Sequence, residues 1–415
     1  MSYRSRVVDA EVSRRLQSTG ALVIEGPKGC GKTSTARRHA ASEVLLDTDV
    51  NAKRAALIDP MLVLDGRTPR LIDEWQVAPG VWNAVRRAID DRGDHGQFLL
   101  TGSAVPADDH VRHTGAGRFA HLRMRPMSLY ELGQSTATVS LRALLNGEFA
   151  SCQNPGLTLG DLIDLTVTGG WPRNIGLTPL QATAQLRDYL VTISRTDVRR
   201  LDDTMRRPRR VMKLMQVLAR HVATDVKNST LEADWSDETN ISRNTIADYL
   251  GALDRVMVIE DQPPWAPHLR GKARVRQAPK RHFVDPSLAV AAARATPAKL
   301  LKDLAYFGTL FESLVVRDLR IHAQAAEASV YHYRDNSDLE VDAVVDADDG
   351  CWAAFEVKLG QHEVEKAAAT LLRFANKIDT TKTGKPGMLA VITGMGYGYR
   401  RPDGVAVIPV GALAP

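Results

Sequence analysis

Apolar and polar positions change period along the chain. Four short apolar runs come first: Ala21-Leu-Val-Ile24, Glu43-Val-Leu-Leu-Asp-Thr-Asp49, Arg70-Leu-Ile-Asp-Glu-Trp75 and Gln97-Phe-Leu-Leu-Thr-Gly-Ser103. Runs of this length bounded by polar residues predict buried strands. Between them Thr33 to Ala41 reads as helix, and Val81 to Asp91 places Val81, Val85 and Ile89 on one helical stripe beside Trp82. Strand alternating with helix predicts a parallel sheet covered on both faces.

Beyond residue 132 the pattern turns helical. Residues 133–160 carry little periodicity, and Asn154-Pro-Gly156 marks a loop. Asp161 to Thr168 predicts a helix that stops at Gly169-Gly-Trp-Pro-Arg173, and Thr183 to Arg200 predicts a longer one. Val211, Leu214, Met215 and Leu218 repeat at helical spacing. Ser242 is a good N-cap for a helix striped by Ile246, Leu250 and Leu253, and Val256 to Glu260 follows as a short strand. Helix, turn, capped helix and strand outline a winged helix-turn-helix.

The last third returns to strands. Leu310 to Val316 is helical, Val330 to Arg334 is a strand, and Asp338-Leu-Glu-Val-Asp-Ala-Val-Val345 and Trp352-Ala-Ala-Phe-Glu-Val-Lys-Leu359 follow. The two-residue strand period places Glu340 with Asp342, and Glu356 with Lys358, on common faces. An amphipathic helix from Val364 to Lys377 and strands at 389–394 and 405–409 close the region.

Composition changes this picture little. The 415 residues are 44% hydrophobic and 25% charged, with a net charge of +5. That is long enough for about two to four domains, and the mild positive charge permits an acidic partner without requiring one. No apolar run reaches membrane-spanning length, and the start lacks a signal-peptide core, so a cytoplasmic protein without a membrane partner is expected. Cys30, Cys152 and Cys351 lie far apart, without metal-ligand spacing.

The chemistry starts at Gly26-Pro-Lys-Gly-Cys-Gly-Lys-Thr33, which fits the P-loop pattern between a strand and a helix. Gly26, Pro27, Lys28, Gly29, Cys30, Gly31, Lys32, Thr33 and Ser34 are the candidate ATP-binding residues. Glycines let successive N–H groups converge on phosphate, while the helix start adds its dipole. Lys32 would reach the β- and γ-phosphates, and Thr33 would hold Mg²⁺. Asp73 would complete the Mg²⁺ shell and Glu74 would polarise the attacking water. Thr101 or Ser103, at the end of the next strand, suits a γ-phosphate sensor. Arg118 is the leading arginine-finger candidate for a neighbour's nucleotide, with Arg123 and Arg125 as competitors.

Together, the P-loop, Leu-Ile-Asp-Glu-Trp, Leu-Leu-Thr-Gly-Ser, Gly-Arg and Arg-Pro-Met-Ser-Leu-Tyr-Glu-Leu runs resemble the AAA+ ATPases that carry a DUF4143 C-terminal region. The family usually has Pro-Leu-Ser-Phe where this chain has Pro126-Met-Ser-Leu129. The resemblance implies an α/β fold: a P-loop AAA+ core over 1–132, a helical lid over 133–205, a winged helix over 206–262 and a nuclease-like α/β domain over 263–415. It also implies ATP and Mg²⁺ as cofactors, a homo-oligomer such as a hexameric ring or a smaller assembly, and Arg173 as a second sensor.

The C-terminal order of helix, Asp strand and Glu-x-Lys strand resembles the PD-(D/E)xK nuclease fold. That resemblance implies Asp342 and Glu356 as ligands of a divalent metal, Lys358 as a positioner of water and Glu312 as completing the shell. Arg243 and Asn244 at the start of the capped helix are candidate DNA contacts, as are Arg274 and Arg276 in the acid-free stretch between Asp261 and Asp285. The basic stretch from Arg195 to Lys213 reads either as a nucleic-acid track or as a solvated helical face. Two functions stay open. One is an ATPase coupled to DNA remodelling or helicase-like translocation, with metal-dependent cleavage. The other is an ATP-gated regulatory or defence module that works through protein partners with an inert nuclease-like domain.

Overall fold

A computed structural model describes residues 3–102, 114–198, 201, 206–235, 241–267 and 278–415. After α1 (Val8–Leu16), the chain alternates β1 (Ala21–Glu25), α2 (Lys32–His39), β2 (Ser42–Leu45), α3 (Val50–Ile58), β3 (Arg70–Asp73), α4 (Gly80–Arg92), β4 (Phe98–Gly102) and β5 (Phe119–Arg123). The five strands form one parallel sheet in the order β2-β3-β4-β1-β5. Residues 21–24, 71–72 and 98–100 are fully buried, because helices cover both faces of the sheet. On one face Val81, Trp82 and Val85 of α4 pack on Val23, Ile72 and Leu100. On the other, Val8 and Val12 of α1 and Ala36 of α2 pack on Leu22, Ile24, Leu71 and Leu99.

Next come β6 (Val139–Ser140) and α5 (Leu141–Leu145), which lie in the stretch where the sequence showed little periodicity. β6 pairs in parallel with β13 (Leu413–Ala414), so the end of the chain returns to the segment that follows the ATPase sheet. α6 (Leu159–Thr168) starts at a reciprocal cap between Thr158 and Asp161, and α7 (Pro179–Thr192) at one between Thr178 and Gln181. A π-helical turn, Ile193–Asp197, continues α7.

The winged-helix outline holds, with one change. Here α8 (Pro208–Arg220), α9 (Asn228–Ala233) and α10 (Arg243–Arg255) precede a ribbon rather than a single strand. Residues 259 and 262 bridge antiparallel to 283 and 280, and 224 bridges to 281. Ser242 caps α10 by accepting from the Thr245 N–H. The basic stretch is partly internal: Arg206 is buried and its guanidinium donates to Asp248 of α10 at 2.6 Å.

The C-terminal region is a mixed sheet in the order β11-β12-β10-β9-β8-β7, with β7 (Ala328–Arg334), β8 (Glu340–Ala347), β9 (Trp352–Lys358), β10 (Met388–Thr393), β11 (Tyr399–Arg400) and β12 (Ala406–Pro409). The helix Val364–Lys377 covers one face through Leu371 and Phe374, which pack on Trp352 and on Trp265 from the ribbon's exit. The long helix Leu304–Ala325 covers the other face, in a core shared with α6, α7, α8 and the helix Pro286–Ala292.

Candidate functional site

Parallel pairing brings the ends of β3, β4 and β1 level. Asp73 lies opposite Thr101, Ile24 opposite Thr101, and Glu25 opposite Gly102. The loop after β1 and the acids after β3 therefore meet at one edge, where α/β sheets bind ligands. Gly26 has no room for a side chain, because a Cβ would sit 2.3 Å from the Met124 carbonyl. Gly31 has φ 107, a left-handed value that lets α2 begin at Lys32.

The polar groups at this edge are connected. The Thr33 hydroxyl donates to the Asp73 carboxylate at 2.9 Å, and the Thr101 hydroxyl donates to the same oxygen. Lys32 is buried and folded back, with its ammonium donating to the Gly26 and Pro27 carbonyls at 2.9 and 3.0 Å. Glu74 takes a left-handed backbone conformation, φ 53 and ψ 46, which turns it off the strand beside Asp73. Burial pushes its carboxyl above the usual range; Lys32 opposes that push and Asp73 adds to it. A hydroxyl and a carboxylate joined end to end, beside a lysine resting on the loop's own carbonyls, match the donor set of a Mg²⁺-bound triphosphate. Lys32, Thr33, Asp73 and Thr101 fit that role, and the ion would supply charge neutralisation at the phosphates.

Beside the loop, a cavity of about 630 Å³ is lined by Tyr3, Gly31, Ser34, Thr35, Pro172 and Arg173. Its size suits a nucleoside. The sequence-predicted Arg173 therefore lines the same cavity as Ser34, contributed by the segment that follows α6. Lys28 makes a contact that was not foreseen: its ammonium donates to Asp197, at the end of the π-helical turn, at 2.5 Å. Behind the loop, Arg6 donates to the Cys30 carbonyl at 2.8 Å and pairs with Glu131 at 2.9 Å. Glu131 in turn accepts the Val7 and Ser128 N–H groups. This explains the acid of the Ser-Leu-Tyr-Glu run as a clamp on the back of the P-loop.

The other predicted positions divide. Arg118 is half-exposed before β5, pairs with Asp90 at 2.8 Å and lies at the opposite end of β1 from the P-loop. Arg125 faces inward and clasps Glu260 of the ribbon with two bonds, while Arg123 lies 3.7 Å from the same carboxylate. Ser103, Arg274 and Arg276 lie outside the described residues. Arg243 and Asn244 are exposed at the first turn of α10, where Arg243 pairs with Glu232.

In the C-terminal region, Glu312, Asp342, Glu356 and Lys358 lie in one cluster. Lys358 holds Glu356 at 2.8 Å and Asp342 at 2.9 Å. Lys280, which the sequence placed only in a basic stretch, completes the group. Its buried ammonium lies 2.8 Å from Glu312, 2.8 Å from Glu340 and 3.3 Å from Asp342. A divalent ion bridging Glu312 and Asp342 would need to lie roughly 2.0–2.6 Å from those same oxygens. Among the described residues, no group of three or more His, Cys, Asp or Glu is set to hold a metal ion, and the expected ligands Asp342 and Glu356 are both paired with Lys358.

Comparison with known proteins agrees with the P-loop geometry. Residues 18–133 match a family model described as an AAA domain, and residues 307–413 match a domain of unknown function, DUF4143. The chain belongs to the AAA-like P-loop ATPases that carry DUF4143. Residues 159–299 match a further domain of unknown function, DUF8612. This span runs from α6 through the winged helix to the helix Pro286–Ala292, which packs in one core with α6 and α7. Among solved structures, a Walker-type ATPase of Pyrococcus abyssi is similar at 12% identity and a TM-score of 0.43, over 70% of this chain and 96% of that one. A signal-transduction ATPase with numerous domains and a tetratricopeptide-repeat sensor, from Pyrococcus horikoshii, matches at 13% identity and a TM-score of 0.21, over 78% and 48%. No curated protein matches the chain. No described helix is long and apolar enough to cross a membrane.

Proposed function

We propose that this ATPase is a Mg²⁺-dependent, nucleotide-gated switch in which ATP binding and hydrolysis reset the lid against the P-loop. The contact between Lys28 and Asp197 carries this reading. Lys28 belongs to the loop that must wrap phosphate, yet it is held by an acid from the helical region. Incoming phosphates compete for that ammonium, and losing it leaves Asp197 to rearrange. Pro172 and Arg173, which line the nucleoside cavity, belong to the same helical region, so ligand contacts fall on both sides of the joint. Glu74 orients the attacking water, and Thr101 reports the γ-phosphate through Asp73. Arg118 is remote from its own nucleotide and accessible, which suits action on the neighbour's site in an oligomer. The output passes to a protein partner.

A second reading makes DNA the target and the switch a remodelling or translocating motor. It is favoured by the exposure of Arg243 and Asn244 at the start of α10. ATP hydrolysis measured with and without forked, single-stranded and duplex DNA separates the two. The switch predicts turnover that is lost in Glu74→Gln and is indifferent to every nucleic acid. DNA-stimulated turnover, also lost in Glu74→Gln, establishes the motor instead. No turnover in wild type under any condition removes both.

A further inference from the structure

We propose that Lys280 is a built-in counter-ion that permanently takes the metal's place in the C-terminal carboxylate cluster. The acids there then serve as a clamp on the winged-helix ribbon and not as a divalent-metal centre. This stands apart from the nucleotide-switch reading, because the cluster's ion pairs involve no P-loop residue.

The geometry commits both oxygens of Asp342 and one oxygen each of Glu312, Glu340 and Glu356. One oxygen of Asp342 faces Lys280; the other accepts from Lys358 and from the Val357 N–H, both at 2.9 Å. Glu312 and Glu340 each approach the Lys280 ammonium at 2.8 Å, and Glu356 is held by Lys358. An ion placed among the same oxygens would overlap the ammonium and add like charge beside it.

Nor is Lys280 on a free arm. Its N–H donates to the Gln262 carbonyl at 3.0 Å, and the Gln262 N–H donates back at 2.9 Å. The Gln262 side chain donates to the carbonyls of Tyr331 and Asp342, at 2.9 and 3.0 Å. His282, two residues on, sits between Ser313 and Gln262 at 3.0 and 3.1 Å. These buried bonds fix the backbone that carries Lys280 beside the cluster. The ribbon therefore has two fixed sides: Glu260 takes Arg125 from the ATPase domain, and Lys280 takes the cluster.

Manganese titration of the full chain, without nucleotide and in a Thr33→Ala background that disables the P-loop site, tests this through the electron paramagnetic resonance of free Mn²⁺. With Lys280 present, the C-terminal cluster takes up no Mn²⁺, and Glu356→Gln leaves the titration unchanged. Lys280→Met leaves the acids short of a cation and gains one Mn²⁺ site per chain, at least about tenfold tighter than any site with Lys280 present. Adding Glu356→Gln to that variant abolishes the gained site. Uptake of one Mn²⁺ by the Lys280-containing chain that disappears in Glu356→Gln overturns the proposal. So does a folded Lys280→Met chain that gains no site. If Lys280→Met does not fold, the titrations with and without Glu356→Gln decide the question alone.

Discussion

The clamp behind the P-loop offers the most quantitative test. Arg6 and Glu131 are 2.9 Å apart, and their side chains are only 4% and 1% exposed. Each has further partners: Arg6 donates to the Cys30 and Arg125 carbonyls, and Glu131 accepts from the Val7 and Ser128 N–H groups. Arg6→Met leaves a buried carboxylate without its cation, and Glu131→Gln leaves a buried guanidinium without its anion. Breaking such a pair from one side costs about 3–5 kcal/mol, because the remaining charge stays desolvated. For a domain of this size that lowers the melting temperature by roughly 10 °C. The double variant removes both charges, so its cost should fall short of the sum by about 1–3 kcal/mol. Urea unfolding followed by the fluorescence of Trp75 and Trp82, which lie in the ATPase core, reads the cycle. ATP affinity, measured in parallel, should weaken in Arg6→Met, since Arg6 holds the Cys30 carbonyl of the loop. Single costs under about 1 kcal/mol, the surface-pair range, or strict additivity, would refute the clamp.

Three further outcomes follow from the same geometry. Glu74→Gln should lower ATP turnover by about 10²–10⁴-fold while leaving equilibrium ATP binding in place, since its proposed role is on the attacking water and not on the nucleotide; equal losses of both would make it structural. Asp197→Asn should tighten ATP binding, by up to about fivefold, because it frees a half-exposed Lys28 from a contact of surface strength; weaker binding in an equilibrium titration would assign Asp197 to the nucleotide instead. Thermal stability should fall as pH rises from 5 to 9. Burial and Asp342 push Glu356 up to about 8 and Glu312 up to about 7, both from 4.5. A carboxyl with a raised folded-state pKa binds its proton more tightly when folded, so its stabilisation is complete below about 4.5 and is lost as pH climbs through about 7–8. Asp342, where Lys280 and Lys358 overcome burial and hold the pKa down to about 2, has the opposite sign and changes only in acid. Melting curves of wild type and Glu356→Gln should agree at low pH, where both side chains are neutral, and diverge at high pH, where only wild type carries the buried charge and loses stability; parallel curves would sink the assignment.

Local pattern determined much of this protein by itself. The runs at 21–24, 70–75 and 97–103 announce strands, because burial on both sheet faces leaves no polar alternation to confuse the period. The P-loop and the Asp73–Glu74 pair are legible because their chemistry is contiguous in the chain. Glu312, Asp342, Glu356 and Lys358 were picked out by the resemblance of the helix, Asp-strand and Glu-x-Lys-strand order to the PD-(D/E)xK fold, while the strand period alone paired Glu340 with Asp342 and Glu356 with Lys358.

Tertiary structure decided what those groups touch. Asp197 reaches Lys28 across 169 positions, and Arg6 reaches Glu131 across 125. No local signal marks such pairs, since a buried acid and a surface acid have the same sequence appearance. Arg125 was a candidate finger by its place after a strand, yet the ribbon's Glu260 turns it inward. Lys280 is the sharpest case. In the sequence it is one more cation in an acid-free stretch, while in the fold the pairing of 262 with 280 drives it into three carboxylates' company. A charge acquires its role from the charges that packing sets beside it and from the water that packing removes, and neither is written in the spacing of residues along one chain.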